Sequence, residues 1–147
     1  TWGVSNFDTS DMKELFALPA GKHCAVNQVL YHLGSRGIEF DLLPWMRQHG
    51  VALMAYCPLA QAGSLRRGLL ENKTVAAVAE KHGCDVTQVL LAWCIRDGGT
   101  IAIPRSSQKE HTLLNAGADT VLLDEEDFIN LDKAFPPPTR KMPLDVE

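Results

Sequence analysis

The chain has 147 residues, 46% hydrophobic and 22% charged, with a formal net charge of −4 at neutral pH. That length and balance suit one globular domain with a sizeable core. The acidic surplus offers no footprint for nucleic acid or an anionic membrane, and the longest apolar run, residues 51–60, is too short to span a bilayer and carries Pro58.

In chain order, residues 2–4 form a short apolar strand that ends at the polar pair Ser5-Asn6. Asp8-Thr9 then predicts a helix start, with Met12, Leu15 and Phe16 on one face and Pro19 and Gly21 as its stop. A second strand is expected over 25–29, followed by a helix over 39–49. That helix has Leu42, Leu43, Trp45 and Met46 as its apolar side and Gly50 at its end. Pro44 sits early enough for a first turn, or marks a kink. The third strand covers 51–56, and the Ala- and Gly-rich stretch 58–68 reads as a loop.

Two helices come next. One runs over 74–82 and stops at Gly83; the other starts at Asp85, with Gln88 three residues on as a capping box. The second carries the best helical stripe in the chain, Val86, Val89, Leu90, Trp93 and Cys94. Gly98-Gly99 leads into a fourth strand over 100–103. The last helix has Asp124, Glu125, Glu126 and Asp127 at its N-terminus and Lys133 in its last turn, which suits the helix dipole; Phe128, Leu131 and Phe135 form its buried side. Pro136-Pro137-Pro138 opens a tail over 136–147 expected to lie extended on the surface.

The four strands are apolar on both faces, as in a parallel sheet covered on both sides. Strand–helix alternation then leaves a small open α/β sheet or a piece of a (β/α)8 barrel. In either, ligands gather at the C-terminal strand ends, here Ser5-Asn6, Gln28, Tyr56-Cys57 and Pro104-Arg105-Ser106. Taken singly, each is an ordinary polar, aromatic or charged residue; as a set they form a ligand rim.

Other chemistries find little support. Cys24, Cys57, Cys84 and Cys94 include no Cys-x-x-Cys pair and read as reduced thiols of a cytoplasmic protein without a visible signal peptide. His23, His32, His49 and His82 lack metal-site spacing and read as surface or packing residues. The segment HLGSRG (32–37) lacks the spacing of a phosphate loop. Gly3-Val4-Ser5 begins like a nucleophile elbow, but Phe7 stands where the closing glycine belongs.

Four segments in order, GVSNF (3–7), NQVLYH (27–32), AYCPLA (55–60) and IPRS (103–106) with Asn115, resemble the second half of an aldo/keto reductase across essentially the whole chain. The resemblance implies an α/β fold: the C-terminal half of a (β/α)8 TIM-type barrel, four parallel strands alternating with helices. Residues 1–135 would form the half-barrel and 136–147 its Pro-rich tail. The implied reaction is NADPH-dependent reduction of a small aldehyde or ketone to an alcohol. Ser5, Asn6 and Gln28 would hold the nicotinamide carboxamide, and Tyr56 would stack under the ring. Backbone amides from Cys57 to Leu59 would meet the pyrophosphate, with Cys57 standing where many members carry Ser. Arg105 and Ser106 would bind the 2′-phosphate and Asn115 the adenine. His111 stands where many members carry a second Arg; an imidazole is a fractional cation at neutral pH, so NADP preference is expected to be weaker.

The family's catalytic Tyr, with its Lys, Asp and His, comes from the second to fourth strands, which would precede Thr1. Tyr31 matches no acid position, so no catalytic residue is assigned and the chain alone is expected to be inactive. Half a barrel also leaves two strand edges, to be covered by a missing N-terminal half or a second copy. The alternative is a non-catalytic nucleotide-binding or assembly module.

Overall fold

In the computed structural model, four short strands lie side by side: β1 (Trp2–Ser5), β2 (Cys24–Leu30), β3 (Ala52–Tyr56) and β4 (Thr100–Ala102). All neighbours are parallel and the order is β1-β2-β3-β4, so β1 and β4 are the edges. The structure describes residues 1–61 and 63–146; the parts of the expected 58–68 loop and 136–147 tail that fall on Ala62 and Glu147 lie outside the described residues.

Among the described residues, seven α-helices join and follow the strands: α1 (Thr9–Ala17), α2 (Leu42–Gln48), α3 (Gly63–Leu70), α4 (Lys73–His82), α5 (Val86–Ile95), α6 (Lys109–Ala116) and α7 (Glu125–Ala134). Their starts follow local chemistry. Asp8, Asp85 and Asp124 each cap a helix and close a capping box with Asp11, Gln88 and Asp127, respectively. Asn72 caps α4, and Gly83 ends it in the left-handed region at φ 61.

Four expectations change. The helix expected over 39–49 splits into a 3-10 turn at Gly37–Glu39 and α2, where Pro44 is the third residue and lacks an N–H the first turn would not have used. The stretch read as a loop contains α3; Gly63 and Gly68 mask it, and only Leu69 of the helix is buried. No periodicity announces α6, because it buries none of its side chains. The sheet, finally, is covered more fully on one face than on the other. Asn27, Val29, Leu53, Ala55 and Thr100 are buried, whereas Gln28, Ala52, Met54 and Tyr56 are half-buried and Ile101 is 49% exposed.

The covered face meets one core in which Met12, Leu42, Met46, Leu53, Val75, Val89, Trp93 and Leu131 are fully buried. Two polar clusters fix the outer helices. In the first, Arg36 donates to Glu39 (2.8 and 3.0 Å), to Asp132 (2.7 Å) and to the Phe135 carbonyl, tying the turn after β2 to α7. Arg96 reaches the same Glu39 at 3.0 Å and lies over the Trp93 ring at 3.9 Å. In the second, the Asp127 carboxylate, 1% exposed, receives Lys81 Nζ (2.8 Å) and the Asp124 amide (2.9 Å) and meets His82 Nε2 at 2.6 Å.

Burial alone would raise the Asp127 carboxyl; Lys81, the Asp124 amide and His82 outweigh it and bring it from 3.8 down to about 2. A depressed carboxylate stabilises the fold above its unfolded value and loses that contribution as pH falls through the folded one. Acid unfolding is therefore expected to steepen between pH 4 and 2. Asp127→Asn should flatten that limb in circular-dichroism titrations; an unchanged limb would assign it to other carboxylates.

Residues 136–146 form no helix or strand. Lys141 reaches Asp8 (2.5 Å) and Asp41 (2.8 Å), Asp145 accepts from Ser35, and Leu144 packs on the core. The tail thus returns across the ends of β1 and β2. His32, a packing residue as expected, is buried there, accepts from the Gly34 amide, and is pushed down to about 4 by burial.

Candidate cofactor site

The C-terminal strand ends carry the only non-glycine residues with positive φ among the described residues: Asn6 (55°), Cys57 (48°) and Ala60 (56°). Such backbone costs of order 1–3 kcal/mol per residue and gathers where function constrains the chain. At the end of β1, Asn27 holds the turn in place: its fully buried amide donates to the Phe7 carbonyl at 2.8 Å and accepts from the Phe7 amide. The Asn6 amide (2.9 Å) and Ser5 hydroxyl (3.1 Å) both donate to the Gln28 carbonyl. Gln28 in turn points its amide at Met54 Sδ, 3.0 Å away. Ser5, Asn6 and Gln28 therefore form one hydrogen-bonded group at adjoining strand ends.

After β3 the chain turns tightly, with the Ala60 amide donating to the Cys57 carbonyl at 2.8 Å. Tyr56, Cys57, Leu59 and Arg105 line a cleft of about 380 Å³ with Pro58 and Arg66. The Tyr56 hydroxyl is buried and has no hydrogen-bond partner among the described residues. A second cleft, about 410 Å³, is lined by Leu59, Arg66, Arg105, Ser106, His111 and Asn115. The two share Leu59, Arg66 and Arg105 as a common wall.

α6 explains the last two residues: four apart on one helix, His111 and Asn115 share a face. Ser106 orients α6 by accepting from the Gln108 amide at 3.1 Å. Two arginines, an imidazole, a hydroxyl and a carboxamide around a cleft fit phosphate and a nucleoside, so the donor set suits a phosphorylated dinucleotide. Ser5, Asn6 and Gln28 line neither cleft; they lie beyond β3 on the same sheet.

A larger concavity, about 610 Å³, lies elsewhere, between α4 and α7. It is an open groove whose Lys81 is already engaged by Asp124 and Asp127, so the smaller strand-end clefts are the better candidate. Among the described residues, no group of three or more His, Cys, Asp or Glu could hold a metal, and no helix is long and apolar enough to cross a membrane.

Residues 1–135 match the aldo/keto reductase family. The chain belongs to the aldo/keto reductase family. It is 53% identical over 145 residues to the methylglyoxal reductase YeaE of Escherichia coli K12, covering 99% of this chain and 51% of that protein. Glyoxal reductase of Bacillus subtilis is 33% identical over 130 residues, 88% of this chain and 44% of its own length. The crystal structure of an aldo-keto reductase from Klebsiella pneumoniae in complex with NADPH superposes with a TM-score of 0.95 at 53% identity, over 99% of this chain and 51% of that one. The chain thus spans about half the length of the curated relatives it matches, and its four parallel strands are half of the aldo/keto reductase barrel.

Two residues that shape these strand ends carry no signal of their own in the sequence. Asn27 sits inside a strand, where an amide alone signals nothing; only its buried bonds to Phe7 reveal it. Arg66 lies on α3, and recognising Leu65 and Leu69 as an i, i+4 pair would have placed it on a helix. Tyr31 proves to be structural: its buried hydroxyl donates to Glu39 at 2.6 Å and accepts from Arg96 at 2.9 Å. Burial and Glu39 raise that phenol far above its ordinary range, outweighing Arg96.

Proposed function

We propose that this chain supplies the dinucleotide-binding half of an NADPH-dependent reductase of small aldehydes or ketones. The observation that carries the reading is the cleft in which Arg105, Ser106, His111 and Asn115 converge beside the Tyr56–Leu59 wall. Arg105 and Ser106 take the 2′-phosphate, with His111 as a further donor, and Asn115 meets the adenine. Backbone around Cys57 and Leu59 receives the pyrophosphate. Tyr56 presents its ring to the nicotinamide, and Ser5, Asn6 and Gln28 hold the carboxamide so that one ring face is turned to the substrate. Bound NADPH supplies the hydride that reduces the carbonyl carbon.

In this reading the proton comes from an acid outside this chain; Tyr31 is buried and bonded to Glu39 and Arg96, which takes it out of consideration. The open sheet face and edge strands β1 and β4 receive the N-terminal half of the barrel, or a second copy in its absence. Relatives named for methylglyoxal and glyoxal point to small dicarbonyl compounds as substrates.

Titration with NADPH, followed by nicotinamide fluorescence, tests the reading. Binding is expected by this chain, and methylglyoxal-dependent NADPH oxidation only when the preceding barrel half is present. Turnover by the chain alone would refute the placement of the acid. Binding without turnover in the complete barrel would favour a non-catalytic nucleotide module.

A further inference from the structure

Arg66 stands on the wall shared by the two strand-end clefts, beside Arg105 and Leu59. It is half-buried, and its Nη1 donates to the Ala60 carbonyl at 3.3 Å, which anchors the guanidinium to the strained turn after β3. Arg36, Arg47 and Arg96 each pair with a carboxylate: Glu39 and Asp132, Asp97, and Glu39. Arg66 and Arg105 make no ion pair among the described residues. Asp85 lines the larger cleft as well, but its carboxylate already accepts from the Thr87 amide (2.8 Å) and hydroxyl (2.6 Å) at the start of α5. A half-buried guanidinium that makes no ion pair gains from a ligand that supplies an anion within reach.

We propose that Arg66 is a second fixed cation for the phosphates of the dinucleotide, acting with Arg105 from the wall between the pyrophosphate end and the 2′-phosphate end of the site. The inference rests on the dinucleotide reading above and extends it. It replaces the expectation of one arginine with His111 beside it: two arginines face the phosphates, and His111 is accessory.

The test is calorimetric titration of the protein with adenosine 2′,5′-bisphosphate, an anion that needs no turnover to report binding. Arg66→Gln is expected to weaken binding about 10- to 100-fold, as loss of a charge-assisted contact does. Arg66→Lys should recover most of that, and the salt dependence should be shallower in Arg66→Gln. Unaltered binding by Arg66→Gln alongside weakened binding by Arg105→Gln would overturn the proposal and leave the dinucleotide reading standing. Equal losses in the Lys and Gln variants would overturn it too, by assigning Arg66 to bracing Ala60. Failure of the unaltered protein to bind the bisphosphate would remove the dinucleotide reading and this one with it.

Discussion

Arg36→Ala is expected to destabilise the fold by about 3–5 kcal/mol, the cost of removing one partner from a buried ionic cluster. Arg36 is 8% exposed and serves Glu39, Asp132 and the Phe135 carbonyl, with its guanidinium 5.0 Å from the Trp93 ring centroid. Alanine would leave the Phe135 carbonyl without its donor and open space beside Trp93, whereas Asp132, 46% exposed, can turn to water. Arg96 still reaches Glu39, which sets the upper limit of the loss. A fall in Tm of roughly 10 °C should accompany it in a chain this size. Arg36→Lys keeps charge but not the planar fork and should recover only part. A loss below about 1 kcal/mol would show that the cluster positions α7 without stabilising it.

Arg105→Gln carries a functional effect as large as that of Arg66→Gln. NADPH binding is expected to weaken about 10- to 100-fold, while NADH, which lacks the 2′-phosphate, changes by less than about threefold. Arg105 makes no hydrogen bond or ion pair among the described residues, so its loss strands no internal partner, and any change in affinity reads as lost ligand contact. Comparing the two cofactors by fluorescence titration decides the matter. Equal weakening would move Arg105 from the 2′-phosphate to the pyrophosphate, which both cofactors share.

Much of the fold was legible because its signals are local. Asp8, Asp85 and Asp124 cap α1, α5 and α7 through contacts within three residues, and Gly83 ends α4 because the chain there must adopt positive φ. The elements that escaped bury little: α3 hides Leu69 alone and α6 nothing, so neither leaves an apolar stripe to read. At the strand ends, residue types in sequence order suggested a cofactor rim, but Arg66 was invisible once its helix had been read as a loop.

By itself the sequence determined the number and order of the strands, the starts of the capped helices, and the family to which the strand-end motifs belong. All of these follow from short-range periodicity and residue identity. Tertiary structure alone decided that Arg66, Arg105 and Asn115 line one cleft, that Tyr31 is locked to Glu39 and Arg96, and that one face of the sheet is less covered than the other. Those facts depend on which side of a parallel sheet the helices cover. Apolar strands read alike whether their second face meets helices or a barrel interior, because burial demands the same side chains in both.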